Sequence, residues 1–387
     1  MPFIDLAAQQ QRIRQTLEVK IRAVLDHGKY ILGPEVAELE EQLAEFVGTR
    51  HAIACASGTD ALMLALMAAG VGPGDAILTT PFTFIATAEV ISLLGATPVF
   101  VDIDPTTYNI DPNHLERAIQ AVRSHDPTRY PLPSNCPQSP KGIMPVDLFG
   151  LPAEYDQITA LAQKYDLLVI EDAAQSFGAD YKGRKACSLG DMACTSFFPA
   201  KPLGAYGDGG MCFTDDDRFG DVMRSLRVHG KGSHKYENVR VGFNGRLDTL
   251  QAAILLAKFD IFPEEIELRQ HVAQRYTELL TPRSSLVTPS IPAELHSVWA
   301  QYSVRATDDQ ERSALQARLK EAGIPTAVYY PKPLHLQPAF AALAYTVGDF
   351  PISEQISQQI FSLPMHPYLE PEEQERIVEI VAEFLRH

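Results

Sequence analysis

Residues 196–204 read Ser-Phe-Phe-Pro-Ala-Lys-Pro-Leu-Gly, and residues 206–210 close the segment with Tyr-Gly-Asp-Gly-Gly. Its one lysine, Lys201, lies between two apolar, turn-prone stretches. A lysine amine must lose its proton before it attacks a carbonyl, and burial against Phe197 and Phe198 lowers its pKa in that direction. The glycines allow close approach of the backbone to a flat ligand. The stretch therefore indicates a carbonyl-reactive lysine; the alternative is a solvated lysine beside a glycine turn.

A second stretch favours the reactive lysine. Residues 167–170 are Leu-Leu-Val-Ile, a short apolar run that predicts a buried parallel strand, and the acids Glu171 and Asp172 follow it. Charge at a buried strand end needs a partner. An aspartate there can keep the pyridine nitrogen of pyridoxal phosphate protonated, which makes the ring an electron sink. We therefore predict Asp172 and Lys201 as catalytic residues; the alternative is a strand that runs into an acidic loop.

A third stretch supplies a phosphate site. Residues 51–56 predict a strand, Ser-Gly-Thr-Asp follows at 57–60, and residues 61–67 are strong helix formers. Gly58 and Thr59 then open a helix whose free N–H groups suit an anion such as the cofactor's phosphate. Ser, Thr and Asp also serve as ordinary helix caps, which is the alternative.

Strand and helix patterns alternate through the first two-thirds of the chain and predict an α/β fold with a mainly parallel sheet. In such sheets ligands bind at the carboxyl ends of the strands. The 387 residues suffice for two domains, predicted as residues 1–260 and 261–387. The second domain is expected to carry strands over 299–306 and 326–330. The proline-rich residues 124–141 predict a surface loop, interpreted as a tolerated insertion.

In this order, the three stretches resemble the DegT/DnrJ/StrS family of pyridoxal-phosphate sugar-nucleotide aminotransferases. Residues 30–36, 80–87 and 244–253 match it further, so that the resemblance covers essentially the whole chain. It implies fold type I, the aspartate-aminotransferase fold, with a mainly parallel large pyridoxal-phosphate domain and a smaller α+β C-terminal domain.

The resemblance also implies the other cofactor contacts. Gln175 would contact the phenolic oxygen of the ring, and Phe84 would stack on it; a core phenylalanine is the alternative for Phe84. The phosphate would be bound from two subunits, which makes the enzyme a homodimer with shared active sites. Its ligands would be Gly58, Thr59 and Ser196 of one subunit and Asn244 of the partner subunit.

Within the family the chain is most similar to enzymes that aminate C3 of UDP-2-acetamido-2-deoxy-3-keto-glucuronic acid, and residues 325–331 and 363–369 support that branch. The reaction would use glutamate and serve surface polysaccharide, as in a lipopolysaccharide O-antigen. Arg246, in a family motif, is the first candidate to bind a carboxylate and His229 the second. Tyr329 and Tyr330 would contact the sugar or the uracil.

A basic cluster stands out in this acidic chain. A solvated loop and a positive patch for diphosphate and uronate are equally good interpretations of it. Its members are Arg227, His229, Lys231, His234, Lys235, Arg240 and Arg246.

Three other functions are open. The first is an aminotransferase for a 4-keto-6-deoxy sugar nucleotide. The second is a non-catalytic regulatory relative, which the intact Lys201 and Asp172 disfavour. The third is a sugar dehydratase of the same family, some of which carry histidine in place of the lysine.

Composition excludes several function classes. The net charge of −16 disfavours nucleic acid and anionic membranes. Residues 1–14 lack the apolar core of a signal peptide, and no apolar run is long enough to span a bilayer. The cysteines lack metal-binding spacing and read as core residues, consistent with a reducing cytoplasm and no bound metal. They are Cys55, Cys136, Cys187, Cys194 and Cys212.

Overall fold

The computed structural model describes residues 1–234 and 236–386. Its strands are β1 (His51–Cys55), β2 (Ala76–Thr79), β3 (Thr97–Phe100), β4 (Pro140–Met144), β5 (Leu168–Asp172), β6 (Asp180–Tyr181), β7 (Arg184–Lys185), β8 (Met192–Ser196), β9 (Gly210–Thr214), β10 (Leu295–His296), β11 (Tyr302–Arg305) and β12 (Ile360–Leu363).

The α-helices alternate with these strands along most of the chain. They are α1 (Leu6–His27), α2 (Pro34–Val47), α3 (Gly58–Ala68), α4 (Ala86–Leu93), α5 (Pro112–Ser124), α6 (Tyr155–Tyr165), α7 (Asp217–Leu226), α8 (Thr249–Phe259), α9 (Phe262–Leu280), α10 (Asp309–Glu321), α11 (Pro351–Gln359) and α12 (Pro371–Phe384). Several begin at a side-chain cap; Asp308, for example, accepts from the Glu311 N–H at 2.8 Å at the start of α10.

The central sheet has seven strands in the order β1-β9-β8-β5-β4-β2-β3. Strand β9 runs antiparallel to both neighbours, and the pairs from β8 to β3 are parallel. The carboxyl ends of β1, β8 and β5 therefore meet at one edge, beside the amino end of β9. This confirms the predicted mainly parallel sheet.

Both faces of the sheet are covered by helices. Ala52 and Ala54 of β1 pack with α2 and α8 on one face, while Ile53 and Cys55 pack with α3 and α7 on the other. The alternation follows from the period-two geometry of a strand. Because both faces are buried, the strands are apolar along their length, and polar side chains concentrate at the ends, where the candidate site lies.

The C-terminal part of the chain builds a core of its own around the antiparallel pair β11–β12, covered by α9, α10 and α12. The predicted strand over 326–330 is wrong, because only one of its residues pairs with the free edge of β12. Ala327 forms only a single bridge to Ser362. The following residues turn towards the sheet edge instead. The division into residues 1–260 and 261–387 stays a prediction.

The proline-rich segment is irregular, as predicted, but it is not a loose insertion. Tyr130 and Cys136 are buried in the core that contains Phe350. The Ser134 N–H donates to the Leu343 carbonyl at 3.0 Å. The segment is therefore anchored to the stretch that follows Tyr330. Across the described residues, no helix is both long and apolar enough to cross a bilayer.

Candidate active site

The predicted phosphate turn lies where β1, β8 and β9 meet. Ser57 caps α3, and its hydroxyl accepts from the Asp60 N–H at 3.0 Å. A Cβ on Gly58 would lie 2.6 Å from the Ser196 Cβ, so that only glycine permits this approach. The structure thus brings Gly58, Thr59 and Ser196 together at a helix N-terminus, whose first N–H groups are available to an anion.

The lysine segment is a closed loop between β8 and β9. The Phe197 N–H donates to the Gly209 carbonyl, and the Ala205 N–H donates to the Phe197 carbonyl, each at 2.7 Å. Lys201 is half-buried in this loop, so the solvated alternative does not hold. Phe197 is fully buried and Phe198 is 52% exposed, and the expected packing of Lys201 against these two rings stays a prediction.

Desolvation sets the acidity of the lysine amine. Burial lowers the pKa of Lys201 below its ordinary value, and the negative charge of Asp172 opposes this shift. A lower pKa makes a larger fraction of the amine unprotonated and nucleophilic at neutral pH. The site thus contains the carbonyl-reactive group that the sequence predicts.

Asp172 ends β5 and is 4% exposed. Its Oδ2 accepts from the Thr87 hydroxyl at 2.7 Å, and its Oδ1 accepts from the Ala174 N–H at 3.2 Å. Burial raises the pKa of Asp172, while these two hydrogen bonds and the charge of Lys201 lower it. A cationic ring nitrogen beside this carboxylate would favour its ionised form further.

Thr87 is a functional residue that the sequence analysis missed. It lies in the matched stretch 80–87, and its hydroxyl is also 3.1 Å from that of Thr83, which lies four residues earlier and before α4. The threonine spacing was visible in the sequence. Its target was not, since Asp172 is 85 residues away.

Gln175 joins three parts of the chain. Its Oε1 accepts from the Phe149 N–H at 2.8 Å, and its Nε2 donates to the Tyr330 hydroxyl at 3.2 Å. The Tyr330 ring centre lies 5.8 Å from that of Tyr329 and 6.5 Å from that of Phe84. The structure therefore gathers both predicted tyrosines and Phe84 above the end of β5.

Phe84 is not a core residue, because 55% of its surface is exposed, whereas Phe82 two residues earlier is fully buried. An exposed aromatic ring beside Tyr330 at the binding edge of the sheet is available to stack on a flat ligand. This removes the core alternative for Phe84. Together with Asp172 and Lys201, it fits a flat, positively charged ring that carries a phosphate.

The segment 228–246 lies apart from this group. His229 and Asn244 are exposed, Arg246 is half-buried, and a bridge joins Val228 to Asn244. In the described part of the chain, the hydrogen bonds, ion pairs and ring contacts found for His229, Asn244 and Arg246 do not reach Lys201 or Asp172.

The basic cluster divides into structural and exposed members. Arg227 is buried, pairs with Glu40 and donates to the Ala54 carbonyl at 2.6 Å, so it holds the segment to β1. Lys231, His234 and Arg240 are exposed. Lys235 lies outside the described residues.

Comparison with known proteins places this geometry in a family. Residues 11–382 match the model of the DegT/DnrJ/EryC1/StrS aminotransferase family. The chain is 52% identical to the UDP-2-acetamido-2-deoxy-3-oxo-D-glucuronate aminotransferase of Pseudomonas aeruginosa, over 95% of this chain and 96% of that protein. It is 44% identical to the pleiotropic regulatory protein of Geobacillus stearothermophilus, over 100% and 99%.

A solved structure agrees with these relatives. The DegT DnrJ EryC1 StrS aminotransferase from Brucella abortus superposes with a TM-score of 0.94 at 48% identity, and the match covers 100% of both chains. The expected fold type I is thereby confirmed. The chain belongs to the DegT/DnrJ/EryC1/StrS aminotransferase family.

Proposed function

We propose that this protein is a pyridoxal-phosphate-dependent aminotransferase that moves an amino group from glutamate to C3 of UDP-2-acetamido-2-deoxy-3-keto-glucuronic acid. The carrying observation is that Lys201, whose pKa is lowered by burial, lies close enough to the buried carboxyl of Asp172 for their charges to interact. Aminotransferases of this family use pyridoxal phosphate. The named substrate of the 52% identical relative supports the sugar. The product would be a 3-amino uronate for surface polysaccharide such as O-antigen.

The residues at the sheet edge fit the cofactor. When bound, pyridoxal 5′-phosphate would carry the amino group between the two substrates, and its ring would act as the electron sink for the reacting carbon. Lys201 holds it covalently and moves protons to and from the reacting carbon. Asp172 pairs with the ring nitrogen, and Thr87 orients that carboxylate. Phe84 stacks on the ring.

The remaining cofactor contacts are proposed from their placement. Gly58, Thr59 and Ser196 bind the phosphate at the start of α3, which their close packing supports. Gln175 contacts the phenolic oxygen, and its bond to Tyr330 supports an orientation towards the ring. Asn244 of the partner subunit completes the phosphate site.

Arg246 is our candidate for the carboxylates of glutamate and the uronate. It is half-buried, and its Nε is buried without a hydrogen-bond partner within the described residues, as are the Nε atoms of five other arginines, so its place in the family motif supports the choice. His229 is the second candidate, and Tyr329 and Tyr330 would bind the sugar or the uracil. One cation that serves both carboxylates fits alternating half-reactions in one site.

A substrate panel tests this assignment. Loss of a charge-assisted hydrogen bond costs about 1.5–3 kcal/mol, so we expect kcat/KM for the 3-keto uronate to exceed that for a neutral 4-keto-6-deoxy sugar nucleotide by at least about tenfold. Arg246→Ala should erase most of this preference, and Arg218→Ala, at an exposed arginine of α7 outside the basic cluster, should retain it. Equal or faster turnover of the neutral sugar by the wild type would overturn the substrate and leave the aminotransferase intact.

A regulatory role is the second candidate, because a 44% identical relative carries that name. The hydrogen-bonded Asp172 and the half-buried Lys201 favour an enzyme. Glutamate should convert the yellow cofactor form to the pyridoxamine form in a visible spectrum. A colourless protein that does not respond to glutamate would support the regulatory role.

We propose a homodimer with shared sites. Exposed apolar side chains in the lysine loop and on segment 228–246 support a surface that the partner subunit covers. They are Phe198, Val239 and Val241. If Asn244 of the partner subunit completes each site, Lys201→Ala and Asn244→Ala chains, each impaired alone, complement each other.

Random association of equal amounts of the two variants leaves about one quarter of the sites intact, because half of the dimers are mixed and each has one wild-type site. We therefore expect about one quarter of wild-type activity after the two are unfolded and refolded together. Separately refolded chains, mixed without exchange, are the control. A fully active monomer in light scattering would contradict the shared site.

The location and domain boundary are also proposals. Five buried, unpaired cysteines support a reducing cytoplasm. Separate hydrophobic cores on the central sheet and around β11–β12 support domains of residues 1–260 and 261–387.

A further inference from the structure

Two fully buried carboxyl groups lie directly beneath the candidate site. Glu171 precedes Asp172 in β5, and Asp147 follows the end of β4; neither side chain is exposed. A parallel bridge joins Val146 to Asp172, so Asp147 and Glu171 lie on the same face of neighbouring chain segments, close enough for each to shift the pKa of the other. A hydrogen bond between two carboxyl groups requires a proton on one of them, because two ionised carboxylates have only acceptors.

The surrounding donors decide which group keeps the proton. Asp147 accepts from the Ala153 N–H at 2.9 Å, the Tyr155 hydroxyl at 2.9 Å and the Ser176 hydroxyl at 2.8 Å. Glu171 accepts from only two backbone N–H groups, those of Cys187 at 2.6 Å and Leu189 at 2.9 Å. Asp147, which accepts from the larger number of donors, is therefore the ionised member, and Glu171 is the protonated donor.

The electrostatics agree with this assignment. Burial and the charge of Asp147 raise the pKa of Glu171 well above its ordinary value. Burial raises the pKa of Asp147 to about 6, against the opposing effect of its hydrogen bonds.

The neighbouring titratable groups do not neutralise the pair. Tyr155 and Cys187 face it, and burial together with the pair's charge raises the pKa of each, so both stay neutral. The charge of Asp172 also raises the pKa of Tyr155 and of Cys187, and the charge of Lys201 lowers the pKa of Asp172. In the described residues, the hydrogen-bond donors to Glu171 and Asp147 are neutral backbone N–H and hydroxyl groups.

The pair is tied to the turn that carries the candidate site residues. The Asp147 N–H donates to the Asp172 carbonyl at 3.1 Å, and the Asp172 N–H donates to the Pro145 carbonyl at 2.9 Å. The Ser176 hydroxyl, one residue beyond Gln175, binds Asp147. Glu171 meanwhile holds the backbone before β8. Both ends of the 172–176 turn are thus attached to the carboxyl pair.

We propose that Glu171 and Asp147 share one proton at neutral pH, and that this singly charged pair positions the turn bearing Asp172 and Gln175. A second ionised carboxylate there would repel Asp147 and oppose ionisation of Asp172. One retained proton removes both effects while its hydrogen bond joins β5 to the segment after β4. Glu171 and Asp147 are positioning residues, since neither contacts the reacting atoms in this assignment.

Infrared spectroscopy of the full-length protein tests the shared proton without reference to activity. At neutral pH, the wild type should show the carbonyl band of one protonated carboxyl group. Glu171→Gln should lose this band, and so should Asp147→Asn, because the new amide donates to an ionised Glu171. Asp126→Asn, in an exposed turn, should keep it. Absence of the band from the wild type would overturn the proposal even if Glu171→Gln fails to fold.

Stability gives a second test, with a defined sign. The folded-state pKa of Glu171 is raised, so the folded protein retains a proton that the unfolded chain releases above about pH 4.3. Between about pH 4.3 and the folded-state pKa of Glu171, the unfolding equilibrium constant of the wild type should therefore rise with pH. The rise should be steeper than that of Glu171→Gln by up to about tenfold per pH unit. Parallel pH profiles for the two proteins, at one protein concentration, would contradict the retained proton.

The positioning half rests on the proposed function and has its own readout. Glu171→Gln still donates to Asp147 but loses one acceptor for a backbone N–H; we expect kcat to fall about 10–100-fold with KM little changed, as for a small misplacement of catalytic groups. Asp147→Asn, which keeps a hydrogen bond to Glu171, should retain more kcat than Asp147→Ala. Wild-type kcat in Asp147→Ala would overturn positioning, while the infrared band would still decide the shared proton.

Discussion

Replacing Lys201 with alanine should lower turnover by more than about 10⁴-fold and leave the fold intact. A positioned proton-transfer group alone contributes about 10²–10⁴-fold, and this variant also loses the covalent attachment that divides the reaction into easier steps. Lys201 is placed for both roles, because burial lowers its pKa and Asp172 lies close enough to act on it. Its backbone N–H still donates to the Phe198 carbonyl at 2.8 Å after truncation, so the loop should persist.

Steady-state kinetics with glutamate and the keto sugar measure this loss. Borohydride treatment followed by peptide mass spectrometry should label Lys201 in the wild type and leave the variant unlabelled. Lys20→Ala, at a lysine of the α1 surface 3.8 Å from Glu38, is the matched control and should keep full activity. Wild-type turnover in Lys201→Ala would contradict the assignment of Lys201 as the catalytic lysine.

Asp172→Asn should bind the cofactor and lose on the order of 10²–10³-fold in kcat, the effect typical of removing one group aimed at a developing charge. An amide is isosteric with the carboxyl, so the acceptor for Thr87 can be preserved in the core. It is neutral, however, and does not favour a protonated ring nitrogen. The electron sink is then weakened although the site keeps its shape.

Two measurements separate binding from chemistry in this variant. Titration of the unloaded protein with pyridoxal phosphate should give saturable binding, and single-turnover kinetics with glutamate should be slow. Asp126→Asn, which removes an exposed carboxylate, should behave as the wild type in both. Wild-type single-turnover rates in Asp172→Asn would contradict the proposed pairing with the ring nitrogen.

Much of the site was predictable because its parts are local in sequence. An apolar run followed by Asp172, a lysine between turn-prone stretches, and Gly58 before strong helix formers each reflect short-range geometry. The alternating strands and helices then require a mainly parallel sheet, whose carboxyl ends lie at one edge. These patterns sufficed to bring Lys201, Asp172 and the phosphate turn together.

Other features depended on contacts between distant residues. Periodicity indicates that Glu171 and Asp147 belong to strand ends, but only packing buries both carboxyl groups side by side. The partners of Thr87 and Tyr330 are likewise 85 and 155 residues away.

The sequence by itself determined the strand–helix alternation, the lysine loop and the family. The tertiary structure decided which buried polar groups meet and which apolar groups stay exposed. Phe84, for example, faces outward and Phe82 faces inward. It also decided that the strand beside β11 is β12 and that residues 326–330 form no strand. The physical reason is that backbone preferences act over a few residues, whereas desolvation and hydrogen-bond satisfaction depend on every segment that closes over a group.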